Sequence, residues 1–300
     1  MWARLATRFT SKLSSYTSSK ERGENSIVLY TVITNNYDEL KEIPKQFINP
    51  HIDYICLTDN KKLRSNTYKI QLIEEKFDEP LQNRFYKLTI NKYIKDYKIS
   101  IYIDGKISIV GDFYHLLEEL SNYDFISFKH YKRDCLYKEG AVLLHPYKQQ
   151  AAKENVVPLI QKIKQNKFPK KFGLCDTSIL IRKHNEKIIN SMDLWFYMLR
   201  RYSKRDQLSF MYCIWKNQVN LLCLEHKLKA PYFRKHDHIH VRNLDKYWLE
   251  SDNPWLECFD PYENRKYYFN KENRLCKWDL EDEYSEEHYR FLENGYRSVN

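Results

Sequence analysis

Strand-length apolar runs alternate with helical stripes along this chain. Ile27 to Thr34 (IVLYTVIT) is almost continuously apolar, which predicts a central parallel strand buried on both faces. Asn35-Asn36-Tyr37-Asp38 breaks the run, and a short helix through Leu40 is expected after it. Asp53 to Thr58 and Tyr68 to Ile73 predict the second and third strands. From Leu81 to Tyr97 the period turns helical: Tyr86, Ile90, Tyr93, Ile94 and Tyr97 form one stripe, flanked by Leu81, Phe85 and Leu88. Ser100 to Ile103 then reads as a strand ending on Asp104. Gly105 permits a sharp turn before Ile107, Ile109 and Val110 resume the apolar pattern.

Strand, helix and strand in this order predict βαβ units and an α/β fold, an open, mostly parallel sheet flanked by helices. Ligands of such sheets sit at the carboxyl ends of strands, where Asp104 is expected. The Asp104-Gly105 pair also reads as a plain hairpin turn. Arg84, Lys87 and Asn91 share one face of the preceding helix, either as solvated residues or as a phosphate contact.

Composition narrows the functional classes. A length of 300 residues suits one sizeable α/β domain plus an accessory module. Only 6 glycines are present, with no GxGxxG or GxxxxGK, which argues against a Gly-rich phosphate loop. The formal charge of +10 fits surface solubility or an anionic partner, and no nucleic-acid-binding motif accompanies it. The 7 cysteines form no CxxC pair and read as reduced thiols of a cytoplasmic protein. No apolar run reaches transmembrane length. Residues 1–25 are basic, with Trp2, Leu5, Phe9, Leu13 and Tyr16 at helical spacing. They read as an amphipathic helix touching a membrane through residues 1–20, an organelle presequence, or a mobile tail. The expected divisions are this tail, a main domain over 26–248, a small module over 252–281 and an acidic tail or helix over 282–300.

Several motifs carry a further resemblance. They are IVLYTVITNNYD, ICLTD at 55–59, R-x-x-K at 84–87, IYIDGKISIVGDF at 101–113, KHYKRDCLYKE at 129–139, GLCDTSILIRKHN at 173–185 and SKRDQLSF at 203–210. Taken in order, they make residues 27–215 resemble a glycosyltransferase-like family of bacteria and plants whose plant members include mucilage-related proteins. That family looks like a GT-A nucleotide-sugar transferase. The resemblance implies a nucleotide-sugar donor and a glycan or protein acceptor. It places Thr31, Ile33, Tyr37 and Asp59 at the nucleoside, Arg84 and Lys87 at the diphosphate, and His130 and Arg133 in a loop at the donor or acceptor.

GT-A enzymes commonly neutralise the departing diphosphate with Mn²⁺ or Mg²⁺ on an Asp-x-Asp. The corresponding triplet is Asp104-Gly105-Lys106, with lysine in place of the second acid. Either Asp104 holds a metal with help from elsewhere, His238 of the 236–240 segment among the candidates, or Lys106 neutralises the phosphate without one. A solvent-facing strand bearing alternate histidines is the other reading of that segment. The missing acid also admits an inactive transferase fold that serves as a binding or scaffolding module. Asp206 and Gln207 resemble the acid and amide beside the donor sugar, and Asp176 could receive acceptor hydroxyls or close a turn. Ser203-x-x-Asp206 also fits a helix-capping pattern.

Trp255, the run Tyr267-Tyr268-Phe269-Asn270 and Trp278 resemble a WW domain, a three-stranded antiparallel module that docks proline-rich segments. The resemblance assigns Tyr267, Phe269, Cys276 and Trp278 to the ligand groove, and Trp255 and Tyr268 to the back of the sheet. Glu281 replaces the proline usual after the second Trp. A lid or spacer for the main domain is the alternative role.

Overall fold

The computed structural model describes residues 26–94, 97–144, 155–236, 254–260, 263–270 and 276–278. The tails at 1–25 and 282–300, and His238 with its neighbours at 237–240, lie outside the described residues. The chain divides into two compact units. The first comprises residues 1–128, 177–196 and 216–240, and the second comprises 129–176, 197–215 and 241–300.

Seven strands form the main sheet: β1 (Ile27–Ile33), β2 (Asp53–Thr58), β3 (Lys69–Leu72), β4 (Ile99–Ile103), β6 (Phe125–Lys129), β7 (Cys175–Lys183) and β8 (Leu221–Leu224), in the order β3-β2-β1-β4-β7-β6-β8. The pairs β1–β2, β2–β3, β1–β4 and β6–β8 are parallel, and β4–β7 is antiparallel. The expected α/β class and its open, mostly parallel sheet are therefore present. β1 is buried along its whole length, as its unbroken apolar run requires. Its register, with Leu29 opposite both Tyr54 and Ile101, places it between β2 and β4.

The first unit's core gathers Leu29, Ile101, Ile103, Phe113, Phe128, Ile181 and Phe233. Against the sheet lie α1 (Leu81–Leu88) and the one-turn α2 (Ile90–Tyr93), which replace the single helix expected over 81–97. Thr89 separates them, with its hydroxyl donating to Phe85 O at 2.7 Å. That back-bond competes with the helical ladder and bends the segment. Phe85 docks α1 by meeting the rings of Phe77 and Phe196 at centroid distances of 5.0 and 5.1 Å. No helix forms through Leu40; the first helical turn after β1 is a 3-10 turn at Lys45–Phe47. A short ladder joins β5 (Ile107–Ile109) to β9 (Phe233–Lys235).

In the second unit, α3 (Leu136–Leu143) packs with α4 (Val156–Gln165) and with β10 (Trp255–Asp260). Strands β10, β11 (Arg265–Asn270) and β12 (Cys276–Lys277) form the expected three-stranded antiparallel sheet. Among the described residues the remaining α-helices are α5 (Glu186–Arg201) and α6 (Gln207–Lys216). Cys175 and Cys223 each take part in a disulfide, which corrects the expectation of seven thiols, whereas Cys56, Cys135 and Cys213 are free. Among the described residues no helix is long and apolar enough to cross a membrane.

The β5–β9 connection makes Gly111 indispensable. A Cβ there would collide with the carbonyl oxygen of Pro231, a backbone atom that cannot swing aside. Overpacking of this kind costs about 3 kcal/mol. Gly111→Ala should therefore lower the melting temperature by roughly 5 °C. An unchanged melting curve would mean that the two segments do not meet.

Candidate functional site

In the first unit, the polar groups collect at the carboxyl ends of β1, β2 and β4. Asp104 follows β4 directly; its backbone N–H donates to Ser178 O at 2.9 Å and its carbonyl accepts from Ile107 N at 2.8 Å. These bonds hold the Asp104-Gly105-Lys106 turn. The carboxylate is 22% exposed, and its Oδ1 accepts from Tyr102 O–H at 2.7 Å. Lys87 Nζ, on a side chain only 1% exposed, lies 3.8 Å from the same oxygen and 4.8 Å from the Tyr102 ring centroid. Burial and then the Asp104 charge push the Tyr102 phenol well above its ordinary pKa, so it stays a donor to Asp104.

Lys87 is aimed from behind. Its backbone carbonyl accepts from Tyr30 O–H at 2.5 Å and from Arg182 Nη2 at 2.7 Å, which fixes the last turn of α1 against the sheet. Arg84 lies one turn earlier and donates through Nη1 to Asn83 Oδ1 at 3.0 Å, while Asn83 Nδ2 donates to Val32 O at 2.9 Å. Arg84 and Lys87 thus both belong to the helix docked at this strand edge, as their i, i+3 spacing suggested.

The loop after β1 supplies a group that sequence reasoning missed. A Cβ on Gly105 would fall 3.0 Å from Asp38 Cβ and 3.2 Å from Asp38 Oδ2, so a second carboxylate reaches the Asp104 turn from residue 38 instead of residue 106. Asn35 and Asn36 adopt φ of 53° and 49°, which reverses the chain toward that turn. Asp59 braces the reversal: its Oδ1 and Oδ2 accept from Asn35 N–H at 3.1 and 2.9 Å. Tyr37 is 49% exposed on the same loop. Ile33 is buried in the core, with its side chain beside Gly105. Thr31 is buried in β1 likewise, although its hydroxyl makes no hydrogen bond among the described residues. Glu79 is a further acid missed from the sequence; burial first, and then Asp59, raise its pKa.

The β5–β9 ladder brings the start of the histidine segment to this turn. His236 N–H donates to Lys106 O at 2.8 Å, and its Nε2 lies 2.8 Å from Ser108 Oγ. Among the described residues no group of three or more His, Cys, Asp or Glu is placed to hold a metal ion.

The second unit has its own polar cluster. Glu139 on α3 is fully buried, with Arg133 Nε donating to Oε2 at 2.5 Å and Arg205 Nε to Oε1 at 3.2 Å. Burial works to raise the Glu139 pKa, but Arg205 and Arg133 outweigh it and hold the carboxyl ionised. His130 Nδ1 accepts from the backbone N–H groups of Lys132 and Arg133 at 3.2 and 3.1 Å. Burial, reinforced by Arg133, pushes its pKa down to about 4, while Glu139 and Asp176 oppose the shift. His130, Arg133, Glu139, Asp176 and Arg205 therefore share one electrostatic neighbourhood, although they come from three separate stretches of chain.

Asp206, buried beside them in sequence, immediately precedes α6, and its carbonyl accepts from Phe210 N–H at 3.2 Å. Ser203 Oγ accepts from Arg205 N–H at 3.1 Å in the turn before the helix. Gln207 Oε1 is buried and accepts no hydrogen bond from the described residues.

The residues assigned to the WW-like groove lie on β11, on β12 and just after it. Tyr267 is 0% exposed and Phe269 2%, on the same face of β11. Trp278 carries the Arg265 guanidinium 4.2 Å from its ring centroid, a cation–π contact where a peptide was expected. The Cys276 side chain lies outside the described residues.

These features define an α/β protein with charged groups at the carboxyl edge of a mostly parallel sheet. Residues 15–239 match the TOD1/MUCI70, glycosyltransferase-like domain, and the chain belongs to that family. No curated protein matches it. The apo structure of WbbM, a bifunctional glycosyltransferase, is similar at 11% identity and a TM-score of 0.44, over 68% of this chain and 40% of that one. The chain thus spans less than half of that protein.

His130 gives a pH signature. Folding lowers its pKa from the usual 6.5 to about 4, so below pH 6.5 the unfolded chain binds a proton that the folded one refuses. The contribution to stability is constant above 6.5 and is lost progressively as pH falls toward 4. His130→Asn, which keeps an acceptor for the two N–H groups, should flatten the dependence of melting temperature on pH within that window. Identical pH profiles for the two proteins would show that His130 is not held neutral.

Proposed function

We propose that this chain is a glycosyltransferase of GT-A type that moves a sugar from a nucleotide-diphosphate donor to a glycan or protein acceptor. The observation that carries this reading is the buried Lys87 ammonium 3.8 Å from a partly open carboxylate at the end of β4. Cleavage of the glycosidic bond leaves negative charge on the diphosphate, and preorganised cations stabilise it most where water is excluded. Lys87, Arg84 and Lys106 are the cations assigned to that charge, and Tyr37 is assigned to the base.

Asp104 and Asp38 offer two hard oxygen donors at one turn, a set that fits Mg²⁺ or Mn²⁺, which commonly take one or two carboxylates beside substrate phosphates and water. A bound divalent cation would add Lewis-acid neutralisation of the leaving group. Asp38 answers the lysine at position 106, where a second acid was sought. In the second unit, Asp206 is assigned as the carboxylate for the sugar or the incoming hydroxyl, and Gln207 and Asp176 as partners for hydroxyl groups. The buried, unpaired Oε1 of Gln207 favours such a donor from the substrate. The disulfide state of Cys175 and Cys223 favours an oxidising compartment over the cytoplasm.

Lys106, in place of an acid, supports a second reading, a transferase fold that binds the nucleotide without turnover. A melting-temperature panel of nucleoside diphosphates and their sugars, with and without Mn²⁺, followed by donor hydrolysis assays, separates the two. The transferase reading predicts a stabilising donor and hydrolysis that falls on the order of 100-fold in kcat/KM for Asp104→Asn. Stabilisation with no turnover would favour the binding protein, and full turnover in Asp104→Asn would refute the site.

A further inference from the structure

Glu139 does something unusual with one buried charge. A lone ion pair usually matches a carboxylate to one guanidinium through two parallel hydrogen bonds. Here each carboxylate oxygen takes the inner Nε of a different arginine, Arg133 at 2.5 Å and Arg205 at 3.2 Å. Both guanidinium groups are oriented by that tether, and their outer Nη groups make no hydrogen bond among the described residues. The Arg133 side chain is 10% exposed and that of Arg205 43%.

Stability alone does not call for this arrangement. One arginine suffices to pair Glu139, and a half-exposed ion pair such as that of Arg205 contributes little, about 0–1 kcal/mol. Two tethered forks whose outer ends make no hydrogen bond among the described residues are, however, the chemistry that grips a planar or tetrahedral oxyanion. The three groups together keep one positive charge. Among the described residues Asp176 is a further acid facing this cluster through His130, so recognition rests on directed N–H donors more than on net charge.

We propose that the Nη groups of Arg133 and Arg205 form a receptor for one oxyanion, a phosphate or a sugar carboxylate, and that Glu139 is the positioning residue that sets their spacing. The site lies wholly within the second unit and does not depend on the donor assignment made for Asp104.

The test uses the full chain and follows melting temperature in orthophosphate, in glucuronate and in chloride at matched ionic strength. At least one oxyanion should raise the melting temperature beyond chloride. Orthophosphate alone doing so identifies a phosphate ligand, and glucuronate doing so identifies a sugar acid. The increment should vanish in Arg205→Gln and persist in Lys162→Gln, which removes an exposed charge on α4. Arg205→Lys keeps the charge but loses the Nε tether to Glu139, so it should not restore the increment. The proposal is overturned if neither oxyanion exceeds chloride, if Arg205→Gln retains the full increment, or if lysine rescues it.

Discussion

The buried guanidinium of Arg182 is the constraint on which the first unit's chemistry rests. Taking a cation out of water costs several kcal/mol unless its donors are satisfied. Arg182 meets that demand by donating to Tyr30 Oη, Ser100 Oγ, Met192 Sδ and the carbonyl of Lys87. Those partners belong to β1, β4, α5 and α1, so a single side chain on β7 joins four elements. The consequence is positional: the end of α1 cannot drift from the sheet, and the Lys87 ammonium remains beside Asp104. Burial lowers the Arg182 pKa and raises that of Tyr30 to about 12, so the pair keeps its roles of cation and neutral phenol across the physiological range.

The second unit solves a similar problem with the opposite sign. Glu139 is an anion in the core, ionised because two arginines outweigh its desolvation. In both units a buried charge orients groups at the edge of the polypeptide: a lysine and a carboxylate in one, two guanidinium forks in the other. This economy explains why so few glycines suffice. The phosphate binding proposed for this chain rests on side chains anchored at their inner ends, not on a glycine-rich backbone loop.

Much of the sheet was readable in the sequence because its central strands are buried on both faces. Ile27–Ile33 and Asp53–Thr58 carry that burial as apolar runs, and Asp104 was readable as the polar residue that ends one. What was not readable depends on long-range pairing. A strand arginine such as Arg182 ordinarily signals solvent, and nothing local shows that Tyr30 and the Lys87 carbonyl await it. Asp38 was seen only as a strand breaker, since its arrival at Gly105 requires the left-handed residues 35 and 36 to turn the chain. The burial of Tyr267 and Phe269 was likewise not readable from their motif spacing, which says nothing of what lies against β11.

The account stands on Lys87 and Asp104 as the place where a diphosphate is held. A crystal structure with a nucleoside diphosphate bound tests this most directly. The account predicts phosphate oxygens within hydrogen-bond reach of Lys87 or Arg84, or on a cation carried by Asp104 and Asp38. A diphosphate bound elsewhere, with the Asp104 turn left in contact with solvent alone, would contradict it.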